Sequence, residues 1–195
     1  MTETRTGSVS EPGPSQVPAG SAISPADVAG LRFFAFFTPA EVQSLLDHAQ
    51  PCNFAAQAPI FAEGDAASGM YVIVSGEVEI RRVVAGTPDT LATLRPGDVF
   101  GESDVLQFEP AHRMASAFVT RECRALLFTH QHVEALCSAN AACGQRLYRL
   151  LGAINMSRLE RMNEMYMELF IEHCGKARVP VLKAMMQKLA DEWGV

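Results

Sequence analysis

Met70-Tyr71-Val72-Ile73-Val74-Ser75-Gly76-Glu77-Val78 opens on a short apolar run, breaks at Ser75-Gly76 and then turns apolar again. A run this short, bounded by a glycine-containing turn, is the signature of a strand and not of a helix. The same pattern extends outward in both directions. Pro59–Phe61, Val78–Val84, Leu91–Leu94, Met114–Val119 and Ala125–Phe128 are further short apolar stretches. Gly64-Asp65, Ala85-Gly86-Thr87-Pro88 and Pro96-Gly97-Asp98 supply turn signals between them. Short strands between such turns over Cys52–Thr129 predict an all-β barrel, sandwich or jelly roll.

On either side the period becomes helical. Ser24-Pro25-Ala26-Asp27 and Thr38-Pro39-Ala40-Glu41 each place a hydroxyl at N-cap, proline at N1 and a carboxylate at N3; Thr38 and Glu41 form a capping-box pattern. Val42, Leu45 and Leu46 give the second of these helices an apolar face. The Phe-rich run Leu31–Phe37 is expected to tuck under the next element. Past the strands, Thr129 is placed to cap a helix carrying Val133, Leu136 and Cys137. A long helix is predicted from about Ala141 to Ile171, striped by Leu147, Leu150, Leu151, Ile154, Leu159, Met162, Met165, Tyr166 and Leu169. One isolated helix cannot hide such a stripe, so it should pack on the barrel, on a twin helix, or on both. Gly175 ends it, and a short amphipathic helix around Val181, Leu182, Met185, Leu189 and Trp193 follows. Residues 1–23, with Pro12, Pro14 and Pro18 and almost nothing to bury, read as a disordered leader. The expected organisation is therefore a leader over 1–23, a β-roll with N-terminal helices over 24–138, a hinge and dimerisation helix over 139–174, and a short helix over 175–195.

Composition narrows the classes further. Hydrophobic residues are 48% and charged residues 19% of the 195, a balance that can bury a core. There is no apolar run of about 18 residues, which excludes a membrane span, and MTETRTGSVSEPGPSQ has no apolar h-region of a secretory signal. The net charge of −6 has the wrong sign for gripping a nucleic-acid backbone by bulk electrostatics. Cys52, Cys123, Cys137, Cys143 and Cys174 are odd in number and widely spaced, with no CxxC; this argues against a disulfide framework and for a reducing, cytoplasmic compartment.

The stretch that bears on function is Gly97-Asp98-Val99-Phe100-Gly101-Glu102, with Arg113-Met114-Ala115-Ser116-Ala117 beginning eleven residues after Glu102. With Gly64, Gly76 and Gly97 at turn positions, and a final strand leading into two helices, residues 30–172 resemble the cyclic-nucleotide-binding domain of the catabolite activator and protein kinase A regulatory subunit families. The resemblance implies a β-roll of the jelly-roll type followed by a long C-terminal helix. It also implies a ligand site at Phe100, Gly101, Glu102, Ser103, Asp104, Arg113, Met114 and Ala115. Such a ligand offers a phosphate anion, a ribose 2′-hydroxyl and a flat base. Glu102 is an acceptor suited to the hydroxyl, Gly101 lets the backbone approach the sugar, and Arg113 is a planar, permanently charged fork for the phosphate. The turn from Glu102 to Leu106 would present N–H groups to the same anion. The competing account of Glu102 and Arg113 is a barrel-surface ion pair, worth at most about 1 kcal/mol.

This chain departs from the family pattern at several positions. Ser103 and Asp104 replace an aliphatic and a small residue. Asp104 would repel the phosphate unless it turned outward or paired with His112 or Arg113. Met114 stands where cGMP-selective members carry a hydroxyl, so cAMP is expected over cGMP. Gln57 stands where a glycine is common, and the loop before Arg113 is longer than usual. On the long helix the resemblance places Ser157 and Arg158 where a hydroxyl pair reaches the base, which adds Ser157 to the candidate site.

Other functions lack their residues. Val179–Trp193 matches the helix that introduces a helix-turn-helix in DNA-binding members, but the sequence stops at Val195, so no direct DNA binding is expected. Lys176, Arg178, Lys183 and Lys188 read as a solvated face. The barrel is cupin-like, yet its strands lack the metal-holding histidine and glutamate set; His130 and His132 have only Glu134 near them in sequence. Cys123 and Cys137 read as small core residues, and no Gly-x-Ser-x-Gly or phosphate loop is present. The expectation is a non-enzymatic regulatory protein without metal or cofactor that binds a cyclic nucleotide as its ligand, cAMP before cGMP. It would form a homodimer through the 141–171 helix and signal through its C-terminal helices to a twin subunit or an unidentified protein partner. The alternative is a ligand-free interaction module of the same fold, its partner held by the long helix or by Met185, Leu189 and Trp193. A third reading keeps Arg113 for another small anion and leaves Glu102 idle.

Overall fold

The inward-facing apolar residues of the central strand are Tyr71 and Ile73 before Ser75-Gly76 but Val78 and Ile80 after it. Successive strand residues alternate faces, so this change of parity has to be absorbed by an irregularity. A computed structural model describes residues 19–84, 86–107, 112–175 and 178–193. In it the two predicted strands on either side of Ser75-Gly76 are one, β3, running Met70–Val84. Its pairing with β6 (Ser116–Phe128) shifts register between Ile73 and Ser75, again to Glu77, and again to Val78. Gly76 makes the shift possible. Its φ is 93°, and a Cβ there would collide with the backbone of Glu122 and Cys123. The predicted turn is thus a β-bulge inside a continuous strand. Of the predicted pair, residues 116–119 and 125–128 likewise belong to the single strand β6, while Met114 and Ala115 precede it.

All pairings are antiparallel. β1 (Gln50–Phe54) and β2 (Pro59–Phe61) lie along β6. β4 (Thr87–Leu94) and β5 (Val99–Phe100) lie along β3, and the order of the main path is β1-β6-β3-β4. The β-roll interior holds Cys52, Phe54, Ile60, Tyr71, Ile73, Val78, Phe100, Ala117, Val119, Cys123, Ala125 and Leu127. Burial pushes the Cys52 thiol up to about 11 and the Cys123 thiol to about 12, so at neutral pH both are protonated core residues and not nucleophiles.

Helix caps fall where the residue pattern put them. The first helices are α1 (Pro25–Val28) and α2 (Pro39–Asp47), and Thr38 caps α2 as predicted, its Oγ1 accepting from Glu41 N at 3.3 Å and Glu41 Oε2 accepting from Thr38 N at 2.8 Å. In the phenylalanine run Phe33, Phe34 and Phe37 are buried while Phe36 is exposed. After β5 comes the single turn α3 (Ser103–Leu106), and after β6 come α4 (His130–Ala139) and α5 (Ala141–Cys174). Thr129 caps α4 through its hydroxyl to His132 N.

The chain divides into two compact units, one ending at Tyr148 and one beginning at Arg149. In the second unit the remainder of α5 is followed by α6 (Val179–Trp193), where Leu182 is buried. Met156, Leu159, Met162, Met165, Tyr166 and Leu169 are exposed there, as are Val181, Met185 and Met186. Of the predicted leader, residues 1–18 lie outside the described residues; Ala19 bridges Cys52, and Gly20 N donates to Pro51 O at 2.8 Å. Among the described residues no helix is long and apolar enough to cross a membrane.

Gln57, between β1 and β2, is the described non-glycine residue with a left-handed backbone, at φ 63°. Its N–H donates to Val119 O at 2.8 Å, which holds it there, while its exposed side chain makes only a 3.3 Å contact to Thr120 O. A side chain in this region is strained by roughly 1 kcal/mol. Gln57→Gly is therefore expected to raise the urea midpoint, by the equivalent of up to about 1 kcal/mol; a lowered midpoint contradicts this account.

Candidate functional site

Pairing of β5 with β3, through Val99 to Val72 and Phe100 to Tyr71, delivers the chain to Gly101 at the mouth of the roll. Phe100 stacks on Tyr71 with ring centres 5.0 Å apart, and Phe61 packs on both rings at 5.9 and 6.2 Å. This aromatic cluster is the floor on which Arg113 rests, its guanidinium carbon 4.2 Å from the Phe61 ring centre. A cation over an aromatic face is attracted by the ring quadrupole, the more so when desolvated.

Arg113 is only 5% exposed. Its Nη2 donates to Gly69 O at 2.8 Å, its Nη1 donates to Gly101 O at 3.3 Å, and its Nε has no hydrogen-bond partner among the described residues. Its main chain is pinned as well, N donating to Asp65 O and O accepting from Gly64 N, each at 2.8 Å. Burial pulls the guanidinium below the ordinary arginine range, while Tyr71, Asp104, Asp65 and Glu102 act in the opposite direction. Arginine stays charged through such a shift, so a buried cation is opposed by the charge of three carboxylates.

Gly101, with φ 71°, is required here by that cation. A Cβ at Gly101 would lie 2.5 Å from Arg113 Nη1 and 3.1 Å from Gly69 O. Glu102, the residue before α3, is buried. Glu102 and Arg113 are thus both interior groups, which excludes the surface-ion-pair account. Asp104 is 1% exposed and neither turns outward nor pairs with His112. Its Oδ1 lies 3.4 Å from His130 Nε2 on α4, and its Oδ2 has no partner among the described residues. His112 instead bridges Ala66 and is exposed.

The structure thus brings Phe100, Gly101, Glu102, Asp104 and Arg113 together. Ser103 and Ala115 are half-buried beside them. Met114 is 68% exposed. Ser157 lies in the second unit, exposed on α5. Part of the loop before Arg113, residues 108–111, lies outside the described residues. A groove of about 220 Å³ opens beside the cluster, lined by Phe61, Arg81, Arg82, Ser116 and Phe118 among others, with the Arg81 guanidinium 4.0 Å over the Phe118 ring. Among the described residues no three His, Cys, Asp or Glu are grouped to hold a metal ion.

Sequence reasoning missed Gly69, Phe61 and His130. Gly69 acts through its carbonyl, which no side-chain pattern reveals. Phe61 was visible only as a strand residue. His130 was weighed as a metal ligand, because the first residue of α4 gives no sign in sequence of facing α3.

Residues 51–140 match the family model of the cyclic nucleotide-binding domain. A CRP-like cAMP-activated global transcriptional regulator of Mycobacterium tuberculosis is 30% identical over 80% of this chain and 66% of its own length. The cyclic AMP receptor protein of Thermus thermophilus is 29% identical over 85% of this chain and 73% of its own. The crystal structure of the Thermus thermophilus catabolite activator protein superimposes with a TM-score of 0.61 at 28% identity, covering 71% of this chain and 62% of that one.

Gly101→Ala tests the packing account. The added methyl must displace the Arg113 guanidinium and adopt a left-handed backbone, so a destabilisation of roughly 1–3 kcal/mol is expected in denaturant unfolding. A neutral result means that Arg113 is not held as described.

Proposed function

Because the chain belongs to the cyclic nucleotide-binding domain family, we propose that it is a non-enzymatic regulatory protein whose ligand is a cyclic nucleotide, cAMP before cGMP. The observation that carries this reading is the unpaired Nε–H of a buried guanidinium beside a buried glutamate. A buried, charged donor without a partner is costly, and a phosphate oxygen would satisfy it. Glu102 accepts from the ribose 2′-hydroxyl, which places the sugar against the backbone of Gly101. Phe61 belongs both to the floor under Arg113 and to the adjacent groove, where a flat base has π surfaces to lie against. The preference for cAMP rests on Met114, which offers a guanine no hydroxyl.

The output of the protein is proposed to lie in its C-terminal helices. The exposed stripe from Met156 to Leu169 on α5 is apolar and helically spaced, which supports a homodimer through the 141–171 helix. Ligand acts by binding one arrangement of site and helix more tightly than another, which shifts their populations. A second reading, the ligand-free interaction module, is favoured by one observation. Arg113 already donates to Gly69 and Gly101, and Asp104 already places an anion near it.

Calorimetric titration with cAMP and then cGMP separates the two. Micromolar or tighter binding is expected for cAMP, with Arg113→Leu losing roughly 2–5 kcal/mol of it, the cost of leaving a buried phosphate unpaired. Glu102→Gln, which keeps shape and fold, should weaken binding through the sugar contact, by about 1–2 kcal/mol. Silence of the folded wild type with both nucleotides selects the interaction module. In sedimentation at micromolar concentration the expected mass is that of a dimer; a monomer refutes the role given to α5.

A further inference from the structure

We propose that Asp104 and His130 make ligand binding at this site proton-linked, so that the affinity for a cyclic nucleotide rises as pH falls from 8.5 to 6. The proposal rests on the nucleotide reading above and deepens it.

It starts from a charge inventory. Three carboxylates act on the Arg113 guanidinium: Asp104 from α3, Asp65 from the β2–β3 loop and Glu102 from the residue before α3. From β3 the site is faced by Tyr71, whose phenol burial pushes up and thereby keeps neutral. From α4 it is faced by His130, whose Nε2 is 3.4 Å from Asp104 Oδ1. The other titratable residue in that turn, His132, is occupied at the cap, its Nδ1 accepting from Thr129 N at 3.3 Å. The Arg113 charge is therefore already set against three carboxylates, and the ligand phosphate adds a further negative charge. The added anion is unfavourable in a low-dielectric setting unless one of these charges is cancelled.

Asp104 and His130 are built to cancel one. Asp104 is 1% exposed with Oδ2 unpartnered, so it has no water to screen it and a vacant position for a proton. His130 is 47% exposed, so it exchanges protons with solvent. One additional proton on the pair, as an imidazolium against a carboxylate or as a protonated carboxyl, makes it neutral; the proton belongs to the pair and not to either residue. The diester of a cyclic nucleotide keeps its single negative charge across the same pH range. Linkage then fixes the sign. Bound phosphate favours the protonated pair, so protonation of the pair favours bound phosphate, and binding draws at most one proton from the buffer onto the pair.

The experiment is titration of the full chain with cAMP by calorimetry from pH 8.5 to 6, in buffers of different ionisation enthalpy. The wild type is expected to gain affinity as pH falls, by up to about tenfold per pH unit, with net proton uptake. Asp104→Asn keeps the size and hydrogen-bonding shape, and is expected to bind more tightly than wild type at pH 8 and to lose the pH dependence. Asp104→Ala gives the same result should the amide disturb folding. His130→Gln is expected to flatten the profile while leaving cAMP bound. Measurable binding with a flat wild-type profile, or a pH dependence that survives both Asp104→Asn and His130→Gln, overturns the linkage through this pair and leaves the nucleotide reading standing. No binding at any pH by wild type and Asp104→Asn alike overturns both.

Discussion

A guanidinium held almost out of water is the constraint on which the rest of the site depends. Removing a charge from water costs several kcal/mol, and the chain offsets that cost from three directions. Gly69 and Gly101 turn carbonyls toward Arg113, Phe61 offers its ring face, and Asp104, Asp65 and Glu102 supply opposing charge. Each contribution fixes a different segment: the loop into β3, the turn out of β5, strand β2, and α3. Segments far apart in sequence are thus placed by a common need to satisfy one side chain. The same geometry explains why Gly101 must lack a side chain. The nearest obstacle to a Cβ is Arg113 itself, so the residue is demanded by the protein's own cation before any sugar is considered.

The roll beneath the site depends on a different constraint, the parity of β3. Tyr71 must face inward to support both Phe100 and Arg113, and Val78 must face inward to fill the interior with Val119. Both cannot do so along a regular strand. The bulge at Ser75–Glu77 resolves the conflict, and Gly76 allows it because β6 runs too close there for any side chain. Tyr71 and Val78 are thereby parts of one continuous ladder. The platform under Arg113 is then anchored to the longest pairing in the sheet and not to a loop.

Much of this was legible in the residues, for reasons that also set its limits. Helix starts at Ser24, Thr38 and Thr129 were readable because capping is chemistry between neighbours in sequence. Strand character over Cys52–Thr129 was readable because alternation and turn residues are local as well. Ser75-Gly76 was read as a turn between two strands because a turn and a bulge ask the same thing of a glycine. Only the partner strand β6, more than forty residues away, distinguishes them. At the site, Glu102 and Arg113 stand out in the sequence because Phe100-Gly101-Glu102 and Arg113 before Ala115-Ser116 follow the order of the motif that carries the family resemblance. The partners of Arg113 do not, since two of them are main-chain carbonyls. Asp104 was recognised as a misplaced anion, but its partner was sought at His112 and Arg113, its neighbours along the chain. His130 was reached only through space, across the α3–α4 contact.

Those spatial partners share a location that bears on how the site communicates. Gly69, which accepts from Arg113, lies so close to the β6–α4 junction that a Cβ on it would strike Phe128 and Thr129. His130, which faces Asp104, is the first residue of α4. The arginine and the aspartate, on opposite sides of the charge balance, therefore both end on the same three residues, Phe128 to His130. Thr129 is also the cap of α4, so its hydroxyl and backbone set where that helix begins. Only Asn140 separates α4 from α5, and its side-chain carbonyl accepts from Cys143 N at 3.1 Å, so the two helices meet without slack. A group that draws Arg113 away from Gly69, or changes the charge facing His130, acts on the origin of α4 through contacts already made. Close packing leaves that junction little room to absorb such a change locally, so a change at Arg113 or Asp104 bears first on the contacts where α4 begins.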